Sequence, residues 1–452
     1  MNNWWPLGGK SCLLKWSQVC VYLWEGTSSS CHRNKNFKIP ENFDFHNTPE
    51  VIEDREIMLK GDWPNKGRGC EHCRDQETIG GISDRMQFLQ NYDSKKYVHP
   101  DLYKNKNITK IQPTQVSVNF NNKCNLKCVY CGPELSSSWV KELQLNKDNT
   151  RPFGTVDRTK GENKFSMEEP WKLDENYHSK QLQFKKWLEK NYRNLKAFDI
   201  LGGEPLLQEE TFETIDFMIK NPNPNLDFEI YSNMQTKPKI FREKIKKVRE
   251  LASTINELTW VASIDCWGPE SEYIRFGHDL KTWEENYLYI LEECPEIIPT
   301  MNWSLTCLSI NSMPTLMKKV IEWNKTRYSS VNINKVIDPK HFDPSIFVKG
   351  TFTKKIEEIL SLHKVMCNNK NYHNYIVSMM KEIDSFDYDI LKVTEYTNQV
   401  YELARVLNEL DRRRGTHWKT TFPFIAENIF GKYKHIFYLD VTQPNYSRLY
   451  RK

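Results

Sequence analysis

Gln115-Val-Ser-Val-Asn-Phe120 leads through Asn121 and Asn122 into Lys123-Cys124-Asn-Leu-Lys-Cys128-Val-Tyr-Cys131-Gly132. The first six residues read as a short apolar strand. Three cysteines with the spacing C-x3-C-x2-C then fall within eight residues, on the loop that follows its C-terminal end. Three thiolates so placed can hold three corners of a cubane iron–sulfur cluster, leaving the fourth iron without a protein ligand. An iron with an open position is a place for chemistry, whereas a cluster held by four cysteines mostly moves electrons. Structural zinc normally takes four N or S ligands, and no fourth Cys or His follows within a dozen residues.

Outward from this stretch, from about residue 114 to 337, short apolar runs alternate with amphipathic ones. Phe184, Trp187, Leu188, Tyr192 and Leu195 recur at helical spacing. Ala197–Leu201, Phe228–Tyr231, Thr259–Ile264, Trp303–Leu308 and Val331–Val336 read as five more strands. Helices are expected near 280–293 and 313–324. Another follows Gly202-Gly203-Glu204-Pro205 and turns Phe212, Ile215 and Ile219 inward. This rhythm predicts βαβ units and a parallel sheet. The expected fold class is α/β, a partial (β/α)6 barrel over 112–338. A small α+β four-cysteine region over 1–111 precedes it, and a mainly helical region over 339–452 follows. Reactive groups in such sheets gather at the C-terminal strand ends. The cysteine loop, Gly202-Gly203-Glu204, Ser232-Asn233 and Asp265 all fall there. A glycine pair after a strand permits positive φ and close backbone approach to a ligand, and a carboxylate at that turn can accept bonds from an ammonium.

With both motifs placed, region 112–337 resembles the radical S-adenosylmethionine (SAM) superfamily. The resemblance implies a [4Fe-4S] cluster on Cys124, Cys128 and Cys131, with SAM chelating the open iron through its amine and carboxylate. It implies reductive cleavage of SAM to a 5′-deoxyadenosyl radical that takes hydrogen from a substrate. The Gly202-Gly203-Glu204 segment then meets the methionine amino group. Ser232, Asn233, Ser263 and Asp265 sit where the family places polar groups for the SAM ribose or the substrate. Arg275, in Glu272-Tyr-Ile-Arg-Phe-Gly277, resembles an arginine that meets the SAM carboxylate with its planar fork. A surface ion pair is the alternative for Arg275. Ser136-Ser-Ser138-Trp139 reads as a helix cap and start, with Trp139 in the core.

Cys12, Cys31, Cys70 and Cys73 form a second constellation. Val19–Trp24 alternates and Glu25-Gly26-Thr27 turns, so a hairpin can bring Cys12 and Cys31 together. Thr48–Leu59 reads as a short helix, and Cys70-Glu-His-Cys73 as a metal knuckle. The order C-x18-C…C-x2-C resembles the twitch (half-SPASM) auxiliary-cluster domain of radical SAM enzymes, here before the barrel instead of after it. Some phage-encoded radical SAM proteins carry such an N-terminal region. The resemblance implies a second iron–sulfur cluster with no open iron, suited to electron transfer. By spacing alone the four cysteines hold zinc equally well, and His32 or His72 can replace one of them. Cys20, Cys266, Cys294, Cys307 and Cys367 lack metal spacing, and their ordinary role is buried packing.

The net charge of +5, from 64 basic and 59 acidic residues, is too small to indicate a nucleic-acid partner. The 38% hydrophobic content suffices for real cores, and no run reaches the length of a membrane helix. The start Met-Asn-Asn-Trp-Trp has no basic segment leading into an apolar one, so a reducing cytoplasm is expected, where clustered cysteines favour metal over disulfide. Asp411-Arg-Arg-Arg-Gly415 reads as the solvated last turn of a polar C-terminal helix. The expected activity is oxidation or cross-linking of a peptide or protein, with a flavodoxin- or ferredoxin-like electron donor. Modification of a nucleotide, carbohydrate or other small metabolite is the second reading, and a non-catalytic protein with zinc sites the third.

Overall fold

The computed structural model describes residues 4–65, 67–78, 80–146, 175–385 and 390–432. Residues 433–452 of the expected C-terminal region lie outside these. In chain order the strands are β1 Gln18–Tyr22, β2 Thr27–Ser29, β3 Phe37–Lys38, β4 Gln115–Asn119, β5 Lys127–Cys128 and β6 Ala197–Leu201. They continue as β7 Asn223–Ser232, β8 Ile255–Ser263, β9 Arg275–Phe276, β10 Ile298–Leu305 and β11 Ser330–Lys335. Nine of them form one sheet in the order β11-β10-β8-β7-β6-β4-β1-β2-β3. From β11 to β1 every pairing is parallel, while β2 and β3 extend the sheet antiparallel. The six strands expected from 114–337 therefore lie side by side in chain order.

Alternation within each strand decides which side the helices cover. Phe198, Ile200, Phe228, Ile230 and Trp260 point to one face and are fully buried. Register sets Phe198 beside Phe228 and Ile230 beside Trp260. The helix Tyr177–Asn191 packs Phe184 on Phe198, and Pro238–Leu251 sets Phe241 edge-on to Trp260 at 5.6 Å. The opposite face is polar: Cys20, Ser117, Asp199, Glu229 and Thr259 stand in register across five strands. Parallel sheets are ordinarily apolar on both faces, so this polar face suits a solvated cleft.

One strand end and one helix face differ from expectation in ways the packing explains. The fifth expected strand begins earlier and ends at Leu305, because Cys307 and Leu308 are buried in a turn beyond the ladder, where the Cys307 N–H bonds to the Phe342 carbonyl. Thr211, Thr214, Ile215 and Met218 form the buried face of the helix Glu209–Lys220, while Phe212 and Ile219 are only half-buried at its margin. The N-terminal hairpin forms as expected, with Gly26 at positive φ in the turn. Beyond that expectation, β1 adds to β4 as a seventh parallel strand, so the sheet is continuous across residue 111. Among the described residues no helix is long and apolar enough to cross a membrane.

One buried pair makes stability sensitive to acid. Fully buried His363 on the helix Thr353–Met366 has its Nδ1 2.9 Å from Nδ1 of His373 on the next helix. Burial first, then the neighbouring His373, lowers the pKa of His363 to about 4. The unfolded chain binds this proton near pH 6.5 and the folded chain does not, so stability present above pH 6.5 is lost as pH falls toward 4. The expected loss from this group by pH 5 is about 2 kcal/mol. Urea unfolding of wild type and His363→Phe at pH 7.5 and pH 5 checks it. Equal acid losses in the two proteins would remove His363 as the cause.

Candidate active site

The cysteine loop is held from both sides. Ser136 caps the helix Ser137–Leu145 through the Trp139 N–H and donates its hydroxyl to the Leu126 carbonyl. Ser137 Oγ accepts from the Cys124 N–H, Ser138 Oγ donates to the Cys124 carbonyl at 2.8 Å, and buried Trp139 donates Nε1 to the Cys128 carbonyl at 3.0 Å. On the other side β5 pairs with β9, Cys128 opposite Arg275. Cys131 follows through a bond from its N–H to the Cys128 carbonyl. Burial pushes the Cys124 thiol up to about 12, with the Cys128 and Glu204 charges adding to it. Such an environment favours a thiolate only when a metal supplies the compensating charge.

Gly202 and Gly203 both take positive φ, and the space matters as much as the angle. A Cβ on Gly203 would run into the Lys123 carbonyl oxygen, and one on Gly202 into the Asn119 side chain. The Glu204 N–H donates to that same Lys123 carbonyl at 2.7 Å. The glycine turn after β6 is thereby clasped to the residue preceding Cys124. Glu204 itself is 1% exposed. Its carboxylate accepts from Ser232 Oγ at 2.9 Å, the Asn233 N–H at 2.7 Å and the Leu206 N–H at 3.2 Å. Burial raises its pKa to about 7 despite these donors. The carboxylate read in sequence as an ammonium acceptor is thus engaged by three protein donors. The Asn233 side chain turns back to Asn125 at 2.9 Å and reaches Cys124 Sγ at 3.8 Å.

Asp265 and Arg275 form a buried fork: Nε and Nη2 each lie 2.9 Å from a carboxylate oxygen. Tyr130 Oη and the Ser304 N–H also donate to Asp265, each at 2.9 Å. The third nitrogen, Nη1, stands 4.0 Å from Cys128 Sγ. Arg275 is therefore no surface ion pair. Tyr130, quoted in sequence only as the aromatic before the last cysteine, ties the loop to the end of β8. The Ser263 carbonyl accepts Trp283 Nε1 at the same strand end. Cys266, next in chain to Asp265, is wholly buried in the core.

The C-terminal helix also reaches this loop, which overturns the solvated reading of Asp411-Arg-Arg-Arg-Gly415. Arg412 is exposed, but the side chains of Arg413 and Arg414 are 1% exposed. Asp411 accepts from Tyr273 Oη, Thr416 Oγ1 and the Trp418 N–H, tucking the helix end against the helix Pro269–Ile274. Arg414 then reaches Glu142 and stacks over Trp139 and Phe276.

The second cysteine set lies on neighbouring loops. Cys12 precedes a short helix, Cys31 follows the hairpin, and Cys70 and Cys73 lie at the start of the helix Glu71–Thr78. The Cys12 thiol is pushed up to about 12 by burial, then by Cys31 and Cys73, with Cys70 also contributing, so the four are electrostatic neighbours. Asn34 Nδ2 ties the Arg68 carbonyl at 2.8 Å to this cluster and reaches Cys70 Sγ at 3.7 Å. A Cβ on Gly69 would meet the Arg33 carbonyl, so the two loops lie backbone against backbone. His32 leans on Asp84 at 3.3 Å. All twelve cysteines are free, and among the described residues no three His, Cys, Asp or Glu side chains close on a single metal ion.

No protein-family model and no curated protein matches this chain. Among solved structures it is similar to TYW1 with a lysine-pyruvate adduct bound, at 16% identity and a TM-score of 0.28 over 54% of this chain and 70% of that one. It is also similar to Streptococcus suis SuiB bound to S-adenosylmethionine, at 14% identity and a TM-score of 0.36 over 85% of this chain and 77% of that one. For Streptococcus suis SuiB bound to precursor peptide SuiA the values are 14% and 0.34, over 84% of this chain and 77% of that one.

Proposed function

We propose that this chain is a radical SAM enzyme. The observation that carries the reading is the clasp between Glu204 N–H and Lys123 carbonyl, which sets the glycine turn of β6 directly against the cysteine loop of β4. Two motifs separated by about seventy residues in the chain thus share one corner at the C-terminal ends of adjacent strands, where ligands of parallel sheets bind. The donor set has the three thiols a cubane needs, and two of these cysteines are held by the Ser138 hydroxyl, the Trp139 indole and the Arg275 guanidinium donating to their backbone and sulfur atoms.

Cys124, Cys128 and Cys131 would hold the [4Fe-4S] cluster, and the Gly202-Gly203 backbone would lie against bound SAM. When bound, these two groups supply reductive formation of a 5′-deoxyadenosyl radical. Glu204 positions the turn by joining it to Ser232 and Asn233, and Asp265 fixes Arg275 beside Cys128. Cys12, Cys31, Cys70 and Cys73 would hold a second cluster that moves electrons. The substrate, a peptide or protein to be oxidised or cross-linked, lies over the polar sheet face of Ser117, Asp199, Glu229 and Thr259. A flavodoxin- or ferredoxin-like protein supplies the electron.

Anaerobic reconstitution should give about eight iron and eight sulfide per chain if both cubanes form. Reduction in the presence of SAM should give 5′-deoxyadenosine. Stoichiometric zinc with no 5′-deoxyadenosine would sink the enzyme reading. Deuterium transfer into 5′-deoxyadenosine from candidate peptides, against nucleotides and sugars, decides the substrate class.

A further inference from the structure

The structure assigns to Arg414 a positioning role at the Cys128 corner: its guanidinium, brought by the C-terminal helix, sets how readily a cluster on Cys124, Cys128 and Cys131 accepts an electron. This rests on the radical SAM reading above. Arg414 ends the helix Ile390–Arg414, some 280 residues beyond the cysteines in the chain. Its guanidinium lies 4.6 Å from the centroid of Trp139 and 5.0 Å from that of Phe276. Trp139 is the residue that donates to the Cys128 carbonyl, and Phe276 follows Arg275, the strand partner of Cys128. One aromatic side chain therefore separates Arg414 from the cysteine.

Among the described residues the local charge does not cancel. Glu142, itself 3% exposed, takes Arg414 Nε at 3.1 Å and Lys127 Nζ at 2.5 Å. Asp265 is matched, among the described residues, by Arg275. Three buried or half-buried cations thus face two carboxylates around Cys128. Among the described residues, Arg414 Nη1 is buried without a hydrogen-bond partner. An unbalanced cation in a low-dielectric setting favours whichever state of its neighbour is more negative. Cluster reduction adds one negative charge, and charge near a cluster is among the factors that set its potential.

The test is an EPR-monitored redox titration of the full chain, reconstituted anaerobically, following the cluster signal that changes on adding SAM. Arg414→Met should lower the ratio of reduced to oxidised cluster about tenfold at fixed potential, a one-electron shift of about 59 mV to more negative values. Arg414→Lys keeps the charge and should stay within about twofold of wild type. Glu142→Gln removes the opposing charge and should shift the ratio the other way. A structural defect would move all three alike, so the opposite signs separate charge from packing. An unchanged ratio in Arg414→Met, equal shifts in the Met and Lys variants, or a Glu142→Gln shift of the same sign as Arg414→Met would overturn the inference. Should Arg414→Met fail to fold, the sign for Glu142→Gln decides alone. A wild type with no SAM-responsive cluster overturns the parent reading instead, and this inference with it.

Discussion

Cys131→Ala is expected to abolish reductive cleavage of SAM, while Cys73→Ala leaves cleavage intact and stops turnover of the substrate. The two cysteines differ in what surrounds them. Cys131 closes a loop whose other two cysteines are held by Ser137 and Trp139 at their backbone and by Arg275 at the Cys128 sulfur, and whose neighbour is the glycine turn of β6. With one of three ligands removed, the remaining two thiols cannot hold a cubane at the corner where SAM would bind. Cys73 stands with Cys12, Cys31 and Cys70 against the Arg33–Asn34 turn, in a separate set of loops. Iron should fall from about eight to about four per chain in either variant. Only Cys131→Ala should bring 5′-deoxyadenosine down to the level seen without protein. Chromatographic counting of 5′-deoxyadenosine beside iron analysis reads both. A folded Cys73→Ala that retains four iron yet makes no 5′-deoxyadenosine would refute the separate electron-relay role.

How far the site was legible in the sequence depended on how far each partner lies along the chain. The Cys124 loop and the Gly202 turn carry their own signals, since thiol spacing and paired glycines answer to local geometry, and alternation located the strands that present them. The partners of the polar residues did not show. Glu204 was readable as a free carboxylate because the donors that occupy it, Ser232 Oγ and the Asn233 N–H, come from the end of β7. Tyr130 was readable as an aromatic but its hydroxyl meets Asp265, 135 residues away. Arg414 shows the limit most plainly. Three arginines at a helix end look like dipole compensation in solvent, and only the docking of Asp411 on Tyr273 buries the last two. The β1–β4 pairing was hidden likewise, because Val19–Trp24 alternates equally well as half of a hairpin and as a seventh parallel strand.

Asp265→Ala should destabilise the folded chain by about 3–5 kcal/mol, the cost of breaking a buried ion pair on one side. Asp265 is wholly buried and accepts four bonds, two from Arg275 and one each from Tyr130 and Ser304. Its removal strands a guanidinium that is itself buried, and orphans a hydroxyl and a backbone N–H. Tyr130 lies in the cysteine loop and Ser304 in β10, so the loss is spread across the mouth of the sheet. Asp265→Ala with Arg275→Met takes out both charges and should recover more than half of the loss, because a buried pair exchanged for apolar groups of similar volume is often close to neutral. Urea unfolding of the apo chain at pH 7.5 for wild type, both single variants and the double variant closes the cycle. The coupling expected between the two residues is at least about 2 kcal/mol, and additive single losses would mean that Asp265 acts through Tyr130 and Ser304 instead. The same cycle read on SAM binding separates stability from function. If Arg275 is held by Asp265 in order to face Cys128, then Asp265→Ala weakens SAM binding even where the chain stays folded, and the double variant, stable again, does not regain it.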